Sequence, residues 1–138
     1  MSIKSTFFSA NALSLDLGLL LLRLVSGATL ITHGYPKFRQ VLEGNLQFAD
    51  PLGLGEPTSL YLSAFAEFIC AILIILGFLT RLATIPLIIN MAVALFIMHA
   101  ADDFATKEHS LIFLGMFLTL FFTGPGKYSV DRGMGSGV

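Results

Sequence analysis

The chain has 138 residues, 55% of them apolar and 12% charged, with a formal net charge of −1 and a mean hydropathy of +0.82. This is too apolar for a soluble domain of its size, and the chain reads as one membrane domain over residues 1–138 whose medium is the lipid bilayer. The absence of a basic cluster excludes nucleic acid as a partner, and the single cysteine, Cys70, excludes an internal disulfide or a CxxC redox pair.

Residues 1–12 mix Phe7 and Phe8 with Ser, Thr and Asn and carry no small-residue cleavage motif. They are expected to lie along the membrane interface rather than to be removed. The first span, about 13–34, holds Arg23 near its middle. Ten residues past Leu13, at about 1.5 Å per residue, Arg23 lies roughly 15 Å into a hydrocarbon core of about 30 Å. A charge at that depth costs at least ~3 kcal/mol and needs a partner inside a helix bundle. Gly18, Gly27 and Gly34 permit close backbone approach, and Arg23 and Gly27 share one helix face. The sequence His33-Gly34-Tyr35-Pro36-Lys37-Phe38 is expected to end the helix, with glycine as a cap and proline after it. Phe38, Val41 and Leu42 then suggest a short turn on the membrane surface. Residues 39–58 form the longest connection, of a length that is usually functional, disordered or partly helical.

The second span, about 59–79, contains Glu67, the only other charge well inside an apolar run. With antiparallel helices Glu67 lies about 12 Å below the face where its span begins and Arg23 about 15 Å above the opposite one. The two come out nearly level. An Arg23–Glu67 buried ion pair is predicted, serving either to fix register or to carry proton or ligand chemistry. The third span, about 82–101, carries Pro86, Asn90 as an expected interhelical hydrogen-bonding residue, and His99 near its end. The fourth, about 109–124, is shorter and rich in Phe and Leu, and Gly124-Pro125 stops it. The predicted fold is all-α, an integral membrane bundle of four transmembrane helices.

Under this topology the termini and the second loop carry Lys4, Arg81, Lys127 and Arg132, against Lys37, Arg39 and Lys107 on the other face, which favours cytoplasmic termini. His33, Lys37, His99, Glu108 and His109 then gather as a polar cluster at the outer mouth. Imidazoles so placed can bind a metal, ligate haem or relay protons. None of the spacings preorganises a metal site, so none is assigned. Hydrogen bonding at the interface is the expected role, and a proton relay or a polar ligand head group fits better than a metal. No catalytic residue can be named.

Several motifs in order carry a family resemblance: Arg23-Leu24-Val25-Ser26-Gly27, then His33-Gly34 and Lys37-Phe38, then Glu67 with Gly77-Phe78-Leu79-Thr80-Arg81. The last is Gly124-Pro125-Gly126-Lys127-Tyr128-Ser129-Val130-Asp131. Together they resemble the DoxX family of small bacterial membrane proteins. The resemblance implies four transmembrane helices and an inner-membrane location, and points to Arg23, Glu67, His33 and Lys37. Some members of that family are subunits of thiosulfate:quinone oxidoreductases. Another is an integral-membrane partner of a soluble superoxide dismutase and a sulfurtransferase, and distant relatives are Surfeit-type cargo receptors.

Two functional readings follow. In one, the chain is a membrane subunit or accessory of a quinone-linked oxidoreductase, working with a soluble or membrane redox partner. Quinone is then the expected cofactor, ahead of haem. Arg23 or His33 would donate to a ring carbonyl and Glu67 would exchange protons. In the other, it is a non-enzymatic binding or scaffold protein that holds a lipid-like small molecule or a protein partner, with Arg23–Glu67 as a clasp. A homo-oligomer is compatible with both. A transporter is disfavoured, because no internal repeat or interrupted helix pair is visible.

Overall fold

Ser14 opens the first long helix by accepting the Leu17 N–H at 3.2 Å, and Asp16 in the first turn suits the positive end of the helix dipole. The computed structural model describes residues 2–135, and within them all regular structure is helical. A short α1 (Ile3–Phe7) precedes α2 (Leu15–Leu42). Next come α3 (Glu56–Leu76) and α4 (Thr80–Met98), each with a π-helical stretch, Phe65–Cys70 and Ala94–Met98. Then α5 (Phe104–Thr123) leads to a last turn, α6 (Val130–Gly133). By length and apolar composition α2, α3 and α4 can each cross a bilayer. α5 carries Lys107, Glu108 and His109 in its opening turns and is not among these three.

The first sequence expectation to be corrected is the end of α2. The helix continues through Gly34 and Pro36 to Leu42, absorbing the residues expected to form a separate surface turn. Gly34 is not a cap but a contact. A Cβ there would run into the backbone carbonyl of Glu67 on α3, so hydrogen at this position lets the two backbones touch. Gly27 does the same lower down, where a Cβ would lie 2.5 Å from Ile75 Cγ1 and 3.0 Å from the Ala71 carbonyl oxygen. Pro36 forfeits its own N–H bond, which a packed membrane helix tolerates.

The α3–α4 turn is built from both directions. Gly77 adopts φ 67° and closes α3, while the Gly77 and Phe78 N–H groups bond back to the Ile74 and Leu73 carbonyls at 3.1 and 3.0 Å. Leu79 follows at φ 50°, unusual for a branched side chain, and cannot cap α4 itself. The cap comes from the far end of the chain: Asp131 accepts the N–H groups of Leu79 and Thr80 at 2.8 and 3.0 Å. Asp103 caps α5 more conventionally, accepting the Thr106 hydroxyl at 2.5 Å and its N–H at 3.1 Å. These bonds hold the Asp103 carboxyl below the usual carboxylate range.

In order around the bundle, α2 packs on α3, α3 on α4 and α4 on α5, and α5 returns to α2. Leu30, Ile74, Leu87 and Phe117 form the centre of the core, one from each helix. Large apolar side chains such as Leu21, Leu62, Ile89 and Phe122 face outward, as a lipid-facing surface requires.

Candidate functional site

Arg23 is buried to 1% exposure, yet among the described residues no carboxylate hydrogen-bonds to it. Its guanidinium spends its donors on four carbonyls: Nε on Ile74 at 3.0 Å, Nη2 on Ile75 at 2.8 Å, and Nη1 on Pro125 and Tyr128 at 3.1 and 2.7 Å. Two of these carbonyls belong to the last turn of α3, the negative end of a helix dipole, and Asp131 adds a favourable charge nearby. The fork of an arginine suits such a set, because its N–H groups diverge in fixed directions. Arg23 therefore ties α2, α3 and the C-terminal segment together.

The predicted Arg23–Glu67 pair is not made. Glu67 Oε2 pairs instead with Lys37 Nζ, and the Ser63 hydroxyl donates to the same oxygen at 2.7 Å. Lys37 also donates to Ser63 Oγ at 3.2 Å. The cause is register: because α2 runs on to Leu42, Gly34 rather than Arg23 stands opposite Glu67. Arg23 meets α3 about 10 Å further along, counting roughly 1.5 Å per residue. The Glu67 side chain is 6% exposed and that of Lys37 27%, so the pair sits at a boundary between core and open space.

That space is a cavity of about 580 Å³ between the four long helices, roofed by the α2–α3 loop. Lys37 and Glu67 line it together with Ser63, Asn90, Ser110 and all three histidines. Leu30, Phe65, Met91 and Phe113 give it apolar walls. Glu67 lies in the π stretch of α3, and Ala94 and Met98 of the second π stretch line the opposite wall. π segments inside α-helices often mark functional positions. The roof is held down by Asp50, which accepts the Gly55 N–H at 3.0 Å and the Ser59 hydroxyl at 2.9 Å. It thereby ties the loop to the start of α3, whose N-cap Gly55 offers no side chain. The fixed loop sets Phe48, with its ring centroid 5.6 Å from Lys37 Nζ, over the mouth beside Pro51, Leu52 and Leu54.

Of the expected mouth cluster, His33 and His109 meet as stacked rings 5.8 Å apart, and Phe113 packs edge-on against His33 at 6.3 Å. His99 lines the same cavity and bonds through Nδ1 to Asp102 at 2.7 Å. Glu108 is exposed and is not part of the lining. Asn90, expected to bridge helices, is half-buried in the cavity wall and forms no side-chain hydrogen bond among the described residues. Among those residues no three His, Cys, Asp or Glu side chains converge as metal ligands would. Sequence reasoning passed over Ser63, although it stands one turn before Glu67 on the same face. It also passed over Asp50 and Asp131, whose roles depend on loop and tail paths that no local pattern reveals.

The arrangement can hydrogen-bond a polar head group through Lys37, exchange a proton at Glu67, and enclose an apolar ring. Comparison with known proteins places the chain in a family. Residues 18–100 match the DoxX family profile. The chain is 32% identical over 123 residues to "Inner membrane protein YqjF" of Escherichia coli (strain K12), covering 85% of this chain and 92% of that protein. It is 29% identical to "Uncharacterized membrane protein Rv3486" of Mycobacterium tuberculosis, over 80% of this chain and 77% of that one. It is also 29% identical to "Putative oxidoreductase CatD" of Bacillus subtilis (strain 168), over 86% and 87% of the two chains. No solved structure matches.

Proposed function

The chain belongs to the DoxX family of membrane proteins, and from that premise we propose that it is a membrane subunit or accessory of a quinone-linked oxidoreductase system. One observation carries this reading: an ion pair, Lys37–Glu67, stands in the wall of an otherwise largely apolar cavity of about 580 Å³. That volume falls within the ~300–1,000 Å³ usual for small-molecule sites. A quinone head group asks for a hydrogen-bond donor at a carbonyl, a proton acceptor and flanking apolar surface. Lys37 is the donor, Glu67 takes up or returns a proton, and Phe65 and Phe113 flank the ring. His33 and His109 at the mouth pass protons to water. The electrons belong to a soluble or membrane partner, and the naming of CatD as an oxidoreductase agrees with this role.

In this reading α5 is a fourth crossing, residues 1–138 form one four-helix membrane domain in a bacterial inner membrane, and both termini face the cytoplasm. The cavity mouth then opens on the outer side. The test is organic extraction of gently solubilised protein with mass spectrometry and visible absorption, followed by titration with a benzoquinone. Copurifying quinone, or saturable binding that Glu67→Gln weakens more than it weakens folding, supports the proposal. Protein that is quinone-free and shows no saturable binding sinks it.

A second reading is favoured by a different fact: Lys37, Glu67 and Ser63 already satisfy one another. They can serve as a clasp in a non-enzymatic protein that holds a lipid-like molecule or docks a partner. Here Glu67→Gln lowers stability or partner capture and produces no redox phenotype.

A further inference from the structure

Four residues that line the cavity also face outward: Leu62 and Phe65 on α3, and Ile85 and Ile89 on α4, at 55%, 48%, 43% and 56% exposure. These four side chains form the α3–α4 seam between the cavity and the outer surface of the bundle. On that surface lies a second hollow of about 210 Å³, lined only by Ile85, Ile88, Ile89, Leu118, Phe121 and Phe122. Ile85 and Ile89 border both spaces. The cavity's polar lining reaches as far as Asn90, and the outer hollow offers apolar side chains alone.

We propose that the cavity's ligand is a long-chain amphiphile whose alkyl or isoprenoid tail leaves past Ile85 and Ile89 and lies in the outer groove between α4 and α5. Direction supports this assignment. His99, at the head-group end, and Ile85 are separated by roughly 21 Å along α4 at about 1.5 Å per residue, so the tail runs parallel to the helices and away from the mouth. A molecule dissolved in the bilayer lies the same way, with its head at the interface and its chain directed inward. Ile85, Ile88 and Ile89 present a ridge along one helix face, against which Leu118 and Phe121 of α5 form the other wall. A water-soluble ligand would leave this groove unused.

The inference rests on the quinone reading for the head group only, and one experiment separates the two. The full chain, reconstituted in lipid nanodiscs, is exposed to a benzoquinone bearing a ten-carbon chain with a diazirine midway along it. It is then irradiated with or without an excess of the same quinone carrying only a methyl group. Label concentrated at residues 85–89 and 118–122, and suppressed by the methyl compound, is the expected result. In the companion variant Leu118→Trp, which alters a side chain of the outer hollow that does not line the cavity, affinity for the ten-carbon compound falls about fivefold or more while that for the methyl compound stays within about twofold. Label spread over the outward side chains of all helices, or undiminished by the methyl compound, reflects ordinary lipid contact. It overturns the tail path while leaving a head-group site that still binds the methyl compound. Failure of both compounds to bind saturably counts against the quinone reading itself and removes the tail path with it.

Discussion

Lys37 of α2 and Glu67 of α3, 30 residues apart in the chain, form an ion pair in the cavity wall, with the Ser63 hydroxyl bonded to the same carboxylate oxygen. Removing one partner strands the other. Lys37→Met alone is expected to cost about 3 kcal/mol, at the low end for a broken buried pair because the lysine is partly open to the cavity. The double variant Lys37→Met/Glu67→Leu recovers most of that loss, since two apolar groups replace two matched charges. Quinone binding does not recover. Thermal unfolding in micelles and quinone titration of the parent and both variants measure this. A double variant that binds quinone like the parent places the site elsewhere.

Arg23 holds the C-terminal segment through the Pro125 and Tyr128 carbonyls. Arg23→Met takes the side-chain donor from those carbonyls and from Ile74 and Ile75 of α3, of which Ile74 keeps the Gly77 N–H, and each charge-assisted bond lost is worth about 1.5–3 kcal/mol before relaxation. The tail should then detach, exposing Lys127 and Arg132 to trypsin. Arg23→Lys does not restore protection, because one ammonium cannot reproduce the divergent guanidinium fork. Equal trypsin resistance in all three proteins would remove the staple from this account.

Gly34 is the point where α2 and α3 touch backbone to backbone. Gly34→Ala forces the helices apart beside Glu67, with an expected loss of about 1–3 kcal/mol, typical of overpacking. Gly18 has open space around it, so Gly18→Ala should be neutral or slightly stabilising. Unfolding temperatures measured side by side decide this, and equal effects of the two substitutions contradict the contact.

Much of this was legible from residue types. Arg23 and Glu67 stand out because charge in an apolar run demands a solution, and helical spacing and turn chemistry locate the main helices. The partners were not legible, since they depend on where α2 ends. Gly34 and Pro36 carry the signature of a helix stop, whereas tertiary contact with Glu67 turns the glycine into a packing site. A helix extended to Leu42 shifts the register of everything on its inner face. Lys37, expected among mouth residues, thereby becomes the partner of Glu67. His33 and His109 meet because α5 closes back on α2, a relation between distant segments that no local spacing encodes.

Asp103 gives a pH dependence of definite sign. The Thr106 hydroxyl, and secondarily its N–H, hold the Asp103 carboxyl below its ordinary value. The unfolded chain thus binds this proton more readily, so the cap stabilises α5 fully above the unfolded-state pKa. That contribution fades as pH falls through the lowered folded value. Protection of the first amides of α5, taken relative to intrinsic exchange, which itself slows on acidification, should fall as the pH drops. Asp103→Asn, which keeps an acceptor but does not titrate, should flatten that response. Identical profiles for the two proteins rule the cap out as the cause.

Arg23 also imposes a schedule on biogenesis. Its bonds to Pro125 and Tyr128 span 102 and 105 residues, so α2 enters the membrane long before those acceptors have been synthesised. Until α3 supplies the Ile74 and Ile75 carbonyls the guanidinium has none of its acceptors, and until the tail arrives it has only these two, a state that favours the insertion machinery or another helix over free lipid. Arrival of the tail ends the exposure and locks the α3–α4 turn through Asp131 in the same step. A chain interrupted before residue 125 leaves Nη1 of that guanidinium without its two carbonyls, at a depth where an incompletely bonded charge is costly.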